Sequence, residues 1–142
     1  MLQTGIKGRI ELTVTKDKCA GALGSGELDV FATPAMVALM EETAWKSVVS
    51  ELQPGEGTVG TALEVRHLAA TPVGLKVVCE TELILVDRRR LVFDVKVYDP
   101  FGLVGEGTHE RFVIQYEKFM KKVDAKRGGL PARPAEGEGN GN

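Results

Sequence analysis

The chain of 142 residues carries 18 lysines and arginines against 20 aspartates and glutamates, a formal net charge of -2. This length suits one domain with a single hydrophobic core. The near-neutral balance gives no general attraction to nucleic acid or to an anionic membrane, so we expect neither as a partner. No run of 18 apolar residues and no apolar leader occurs, which favours a protein that neither crosses a membrane nor is exported.

The two cysteines, Cys19 and Cys79, lie far apart in the sequence and form neither a CxxC motif nor a Cys/His ligand pattern. Reduced thiols are therefore expected, rather than a disulfide framework or a zinc site. Because reduced thiols are typical of proteins inside the cell, we predict a cytoplasmic location.

The first half of the chain predicts a strand, a loop and one long helix. Alternating apolar residues favour a strand over residues 7–15, and a glycine-rich connection follows over residues 19–29. The helix is predicted from Pro34, which suits a first helical position, to about residue 52, where a Pro-Gly pair follows. Thr33, just before it, is a suitable N-cap.

The second half predicts strands joined by tight turns. Four strands are predicted: residues 59–69 by their two-residue period, 75–86 and 90–98 by their β-rich composition, and 103–116 after a second turn. The connections at residues 87–90 and 99–102 are short and polar, as in antiparallel hairpins. We therefore predict an α+β fold, with an antiparallel sheet of about five strands packed on one long helix.

The domain is predicted to occupy residues 1–127. The remaining segment, residues 128–142, has no hydrophobic periodicity and consists mainly of Gly, Pro and Glu. Such a segment does not bury enough apolar surface to offset the entropy of ordering its backbone. We expect a disordered tail there.

Two adjacent glutamates, Glu41 and Glu42, stand in the middle of the predicted helix. The positions that share a helical face with Glu41 are all apolar: Val37, Ala44, Trp45 and Val48. Glu42 instead has Lys46 four residues on, the favourable order for a surface ion pair. We predict that Glu41 points at the core, where an unpaired carboxylate costs several kcal/mol. That makes Glu41 a candidate site residue, although a buried structural hydrogen bond would also explain it.

Three other side chains are open to a functional or a structural explanation. Thr33 is either a helix cap or a group that helps the N–H donors of the helix start to hold an oxyanion. His67 shares a strand face with apolar residues, where a histidine is more often a hydrogen-bonded core residue than a catalyst. Arg111 is either an anion ligand or an ordinary strand-edge charge. The pattern around His109 does not assign that residue to a face.

Several catalytic and nucleotide-binding motifs are missing or misplaced. Residues 55–60 match GxGxxG, but that fingerprint must follow a strand and open a helix, whereas here it follows a helix and opens a strand. No GxSxG, HExxH, Walker A or EF-hand pattern occurs. The sequence thus gives no sign of a dinucleotide site, a serine nucleophile or a metal centre.

Three blocks of the sequence resemble the hotdog-fold thioesterases, in particular the fluoroacetyl-CoA thioesterase-like family: VFATPAMVALMEETA, GEGTVGTALEVRHLAATPVGL and GEGTHERFVIQYEKF. Their length, order and spacing fit that family over roughly residues 6–127. The resemblance implies a hotdog fold, in which the sheet wraps around one long central helix. It also implies a homodimer with the acyl-CoA site at its interface.

The same resemblance implies a set of site residues. A catalytic threonine at the helix start, a glutamate eight residues later and a histidine in the following strand correspond to Thr33, Glu41 and His67. A glycine seven residues before that histidine and an arginine in the THER block correspond to Gly60 and Arg111, as substrate-binding residues. No metal and no separate cofactor is implied, because coenzyme A enters as part of the substrate.

These observations predict hydrolysis of an acyl-CoA thioester, with a small acyl group, to the free acid and coenzyme A. The connection at residues 19–29 is shorter than the lid of the family's namesake and contains no aromatic residue, so we expect a broader or different acyl selectivity. A non-catalytic acyl-CoA-binding module, acting as a sensor or carrier, is the alternative. An enoyl-CoA hydratase fits the residue pattern less well.

Overall fold

Five strands and three helices make up the part of the chain that the structure, a computed structural model, describes: residues 1–129. The strands are β1 (Lys7–Thr13), β2 (Glu56–His67), β3 (Lys76–Asp87), β4 (Arg90–Asp99) and β5 (Gly102–Gln115). The helices are α1 (Ala20–Leu23), α2 (Thr33–Val48) and α3 (Tyr116–Gly128), with single 3-10 turns at Lys16–Lys18 and Val49–Glu51. No helix within residues 1–129 is long and apolar enough to cross a membrane.

The five strands form one antiparallel sheet in the order β1-β3-β4-β5-β2. Both predicted hairpins are present, since Asp87 pairs with Arg90 and Asp99 pairs with Gly102. In the first hairpin Arg88 has φ 59°, the left-handed conformation that two-residue hairpin turns require. The predicted α+β class, with about five strands and one long helix, is confirmed.

Helix α2 lies across β3, β1 and β4 and supplies the centre of the core. Its buried residues recur at helical spacing: Met36, Leu39, Met40, Thr43, Ala44 and Val48. They pack against alternate, fully buried side chains of β4: Leu91, Phe93, Val95 and Val97. Because this stripe fixes the rotation of α2 about its axis, it also fixes the direction in which every other side chain of the helix points.

Strand β2 forms an edge of the sheet, because β5 is its only partner within the described residues. The pairing contains a bulge between Gly60 and Ala62, and residues 60–64 are all exposed. The alternation of apolar and polar residues along this strand therefore does not correspond to an alternation of buried and exposed side chains. A bulge of this kind bends an edge strand and redirects its side chains.

Helix α3 follows β5 directly and was not predicted. Apolar residues recur along it at spacings of three and four, at Tyr116, Met120 and Val123, but none of its residues is buried. No side chain caps its start. Without a cap signal or a core contact, the sequence gives little indication of a helix. The tail predicted from Gly128 onward lies almost wholly outside the described residues and stays a prediction.

Both cysteines are free and buried. Burial raises the pKa of the Cys79 thiol to about 11, and burial also raises the pKa of Cys19. Since the thiolate is the reactive form, we expect neither thiol of the native protein to react with a disulfide dye at pH 8, and both to react after unfolding. Stoichiometric colour from the native protein within seconds would contradict this. Because the thiols of the native protein should not react, the same dye is suitable for following coenzyme A release.

Candidate active site

Thr33 and His67 form a hydrogen-bonded pair where α2 begins and β2 ends. The Thr33 hydroxyl oxygen lies 2.8 Å from Nδ1 of His67. The predicted capping role of Thr33 is wrong, because the N-cap residue is Ala32, whose carbonyl accepts the first helical hydrogen bond from the N–H of Met36 at 2.9 Å. The Thr33 side chain caps nothing and is therefore available to the neighbouring histidine.

The imidazole of His67 is half-buried, and its Nε2 is enclosed without a hydrogen-bond partner within the described residues. Burial lowers the pKa of His67, so the ring is neutral at neutral pH and is able to accept a proton. The Thr33–His67 pair borders a pocket of about 320 Å3. The pocket is otherwise walled by one aromatic residue, Phe31, and by small or aliphatic residues: Ala20, Ser25, Val30, Ala32, Leu68, Ala69 and Ala70.

Glu41 does not point at the core as predicted; its side chain is 40% exposed. The buried stripe of α2 passes beside it, and Trp45, one of its supposed core neighbours, is itself 38% exposed. Sharing a face with apolar residues thus did not mean burial. Glu42, 46% exposed, forms the predicted ion pair with Lys46 at 2.6 Å. The two glutamates differ in their partners rather than in their exposure.

The partner of Glu41 is Arg111 of β5, whose Nη1 lies 3.8 Å from Oε2 of the carboxylate. Only 8% of the Arg111 side chain is exposed. Its Nε donates to the hydroxyl of Thr58 at 2.8 Å, and its Nη2 donates to the carbonyl of Thr58 at 2.9 Å. Although burial lowers the pKa of Arg111, a guanidinium stays charged at neutral pH. Arg111 is thus a fixed cation beside a half-exposed carboxylate.

Gly60 lies directly opposite Arg111 in the pairing of β2 with β5. A Cβ atom added at Gly60 would lie 2.8 Å from Oε2 of Glu41 and 3.2 Å from Nη1 of Arg111. These are the ends of side chains rather than backbone atoms. Gly60 therefore allows the carboxylate to lie against the strand, in the position from which it faces Arg111.

Replacing Gly60 with Ala is expected to lower kcat/KM by about tenfold or more, because the Glu41 carboxylate has to move aside. The fold should persist, since Gly60 is exposed on an edge strand and its φ is not in the left-handed region. Steady-state kinetics beside a thermal unfolding curve test this. Unchanged kinetics would mean that the position of the carboxylate against β2 does not matter.

The sequence pattern does not assign His109 to the candidate site. In the structure His109 lies in the site, beside Arg111. It is 1% exposed and lies two residues before Arg111 on β5, so both side chains are on the same face. Its Nε2 is 3.1 Å from Nη1 of Arg111. The two-residue period of a strand, counted back from Arg111, is the signal that would have found it.

The predicted residues thus fall into two clusters. Thr33 is joined to His67, while Glu41 and Gly60 are joined to Arg111. No hydrogen bond or ion pair within residues 1–129 links one cluster to the other. Thr33 and Glu41 are eight residues apart on one helix, roughly 12 Å along its axis.

Comparison with known proteins gives the family. A sequence model described as fluoroacetyl-CoA-specific thioesterase matches residues 14–117. The chain belongs to this family. All five predicted site residues of this fluoroacetyl-CoA-specific thioesterase family member lie within the matched range: Thr33, Glu41, Gly60, His67 and Arg111.

Individual relatives of this family member agree in sequence and in fold. A fluoroacetyl-CoA thioesterase from Streptantibioticus cattleyicolor is 49% identical over 98 residues, 69% of this chain and 70% of that protein. The solved structure of the fluoroacetyl-CoA thioesterase FlK is 39% identical with a TM-score of 0.83, covering 92% of this chain and 99% of that one. A hot-dog-like protein from Thermanaerovibrio acidaminovorans is 26% identical with a TM-score of 0.83, covering 90% and 95%. The predicted hotdog fold is confirmed.

Proposed function

We propose that this chain hydrolyses the thioester bond of a small acyl-coenzyme A, releasing the free acid and coenzyme A. The proposal rests on the arrangement of Glu41, Arg111 and Gly60. The Glu41 carboxylate faces the buried Arg111 guanidinium across 3.8 Å, beside a strand position that has no side chain. Membership of a thioesterase family supports the same reaction. A further relative, a variant of FlK, has been solved in complex with fluoroacetate and CoA.

The difficult step of this reaction is the attack on the thioester carbonyl. A thiolate leaves readily, because a free thiol has a pKa of about 8.5 and needs little help from an acid. In one route Glu41 takes a proton from water as the hydroxide forms its bond to the carbonyl carbon. In the other, the carboxylate itself attacks, coenzyme A leaves as the thiolate, and water then hydrolyses the resulting anhydride.

A single turnover in water enriched in oxygen-18 separates the two routes. General-base catalysis by Glu41 puts the label into the released acid in that first turnover. Nucleophilic attack, followed by attack of water on the Glu41 carbonyl of the anhydride, instead leaves an unlabelled enzyme oxygen in the first acid formed and puts the label into Glu41. Label in Glu41 therefore identifies this route. Mass spectrometry of the acid and of the peptide that contains Glu41 measures both.

Thr33 and His67 are proposed to act on the carbonyl side of the same substrate. The neutral imidazole positions the Thr33 hydroxyl, which then donates a hydrogen bond or relays a proton. The start of α2 contributes N–H groups that no helical carbonyl satisfies, and these stabilise the negative oxygen of the tetrahedral intermediate. No metal or separate cofactor enters this scheme.

The acyl group is proposed to be small and not restricted to a fluorinated one. The pocket of about 320 Å3 beside Thr33 suits a small acyl group, but not a whole acyl-CoA molecule. Its wall includes Ala20 and Ser25 from the glycine-rich connection, which contains no aromatic side chain. We expect acetyl and other short or branched acyl groups to be accepted.

The active form is proposed to be a cytoplasmic homodimer. Support for the dimer comes from the edge of β2, where Leu63 is exposed, and from the half-exposed Glu41 and Trp45 on the neighbouring helix. A second copy that packs along this edge would enclose the site. Light scattering on the purified protein tests the proposal, and a mass equal to one chain at micromolar concentration would refute it.

The function itself is tested by thiol release from a panel of short, branched and aromatic acyl-CoAs. Rapid release from one class establishes the enzyme and identifies its substrate. If folded protein releases no thiol, calorimetry on the same panel decides between the alternatives. Tight binding of intact acyl-CoA without turnover would instead identify a sensor or carrier.

A further inference from the structure

His109 is the most completely buried ionisable side chain near the two clusters, and the scheme above gives it no task. It is enclosed by three strands and a helix. The carbonyl of Ala62 on β2 lies 2.9 Å from its Nδ1, and the ring of Phe93 on β4 lies 6.3 Å away between centroids. Arg111 on its own strand lies 3.1 Å from its other nitrogen, and the carboxylates of Glu41 on α2 and Glu110 on β5 also act on the ring.

The two hydrogen bonds of His109 define its tautomer. A carbonyl oxygen only accepts, so Nδ1 carries the proton and donates to Ala62. Arg111 only donates, so Nε2 offers its lone pair to Nη1 at 3.1 Å. Burial, helped by the charge of Arg111, lowers the pKa of His109, while the Ala62 carbonyl and the carboxylates of Glu41 and Glu110 act in the opposite direction. The ring is neutral at neutral pH.

His109 completes the set of acceptors that orient the Arg111 guanidinium. Nε and Nη2 are held by the hydroxyl and the carbonyl of Thr58, and Nη1 is held by Nε2 of His109. Because the guanidinium is planar and rigid, three fixed directions determine its position completely. In that position Nη1 remains 3.8 Å from Oε2 of Glu41, which is too far for a hydrogen bond.

This gap has a chemical consequence. A buried guanidinium free to move would close on the carboxylate and form a direct ion pair at about 2.8 Å. The lone pairs of Glu41 would then be engaged by Arg111 instead of by water or the thioester. A guanidinium held back supplies positive charge near the carboxylate and leaves an oxygen available for reaction.

We propose that His109 is a positioning residue that, through its Nε2 lone pair, holds Arg111 away from direct contact with Glu41 and so keeps the Glu41 carboxylate free to react. The inference rests on the proposed function, since it assigns a kinetic role within that site. It predicts that losing the acceptor lowers kcat while KM changes little, because the chemical step is impaired rather than binding.

Two amide substitutions separate the acceptor from the rest of the side chain. In His109→Asn the amide nitrogen takes the place of Nδ1 and keeps the bond to Ala62, but nothing accepts from Arg111. In His109→Gln the amide oxygen reaches the place of Nε2 and keeps that acceptor, but the bond to Ala62 is lost. Each variant loses one buried hydrogen bond, so similar decreases in melting temperature are expected.

The expected result is a kcat lower by about tenfold to a hundredfold in His109→Asn and largely retained in His109→Gln, at substrate concentrations that saturate both variants. In an Arg111→Lys background the Asn substitution should have little further effect, because the group that it releases is already gone. Equal loss of kcat in the Asn and Gln variants would reduce His109 to a packing role. Wild-type kcat in both would remove it from the site.

Nitrogen-15 NMR of the histidine rings provides a test that does not depend on turnover. A proton on Nδ1 and an unprotonated Nε2 in His109 at pH 7 are expected, and a proton on Nε2 would overturn the inference. If the wild-type protein releases no thiol while this tautomer is observed, the proposed function fails and the kinetic role fails with it. An active wild-type enzyme with the opposite tautomer would refute the inference alone.

Discussion

Replacing Glu41 with Gln is expected to lower turnover of the best acyl-CoA substrate at least a hundredfold, because an amide neither takes a proton from water nor attacks a carbonyl. The folded state should change little. The side chain is 40% exposed, and Arg111, at 3.8 Å, is its one charged partner within the described residues. Thiol release measured beside a melting curve separates chemistry from stability.

Glu42→Gln is the matched control for that experiment. It makes the same chemical change one residue along the same helix, at a carboxylate that pairs with Lys46 on the surface. We expect turnover at the wild-type level, since an exposed ion pair of this kind contributes little to stability. A Glu41→Gln enzyme that is as active as the Glu42→Gln enzyme would remove Glu41 from the mechanism.

The second large effect is expected at Thr33, where Val has the same shape as Thr but lacks the hydroxyl. Thr33→Val should lower kcat/KM about a hundredfold, because the hydroxyl at 2.8 Å from His67 is lost. Stability should be nearly unchanged, because that hydroxyl caps no helical N–H group. Thr33→Ser keeps the hydroxyl and should retain most of the activity. Loss of stability without loss of rate would return Thr33 to a structural role.

The same pair predicts a pH dependence. Reaction through the neutral imidazole of His67 requires a pH above the pKa of that ring, and burial lowers this pKa. The acid limb of the kcat/KM profile assigned to His67 should therefore lie below the ordinary histidine value of about 6.5. His67→Gln should remove the limb. A limb that stays in place in this variant belongs to another group.

Local sequence patterns predicted the regular part of this fold well. The long helix begins within one residue of its predicted start, since a proline in the first turn marks that boundary. The hairpins appear where short polar turns separate β-rich segments. These features depend on neighbours in the sequence, which is why they are readable there. Helix α3 was missed because none of its residues is buried.

The candidate site was harder to predict because its contacts join distant segments. The residue that holds the Thr33 hydroxyl lies 34 positions away, so cap propensity alone gave the wrong role. Helix geometry correctly identifies the residues that share a helical face with Glu41. It does not show how far the sheet covers that face, so the predicted burial of Glu41 was wrong. His109 became a site residue only once Arg111 was known to be buried on the same strand.

The glycine-rich connection has a consequence for how such a chain diversifies. Residues 21–29 are nine consecutive exposed residues, and isolated bridges at Cys19–Phe31 and Val30–Pro72 hold the connection at its ends. Ser25 within it and Ala20 beside it line the pocket next to Thr33. Insertions or new side chains there change the pocket wall without removing a core contact. Natural selection is therefore able to vary the preferred acyl group while the residues proposed to react, carried on α2 and the sheet, remain as they are.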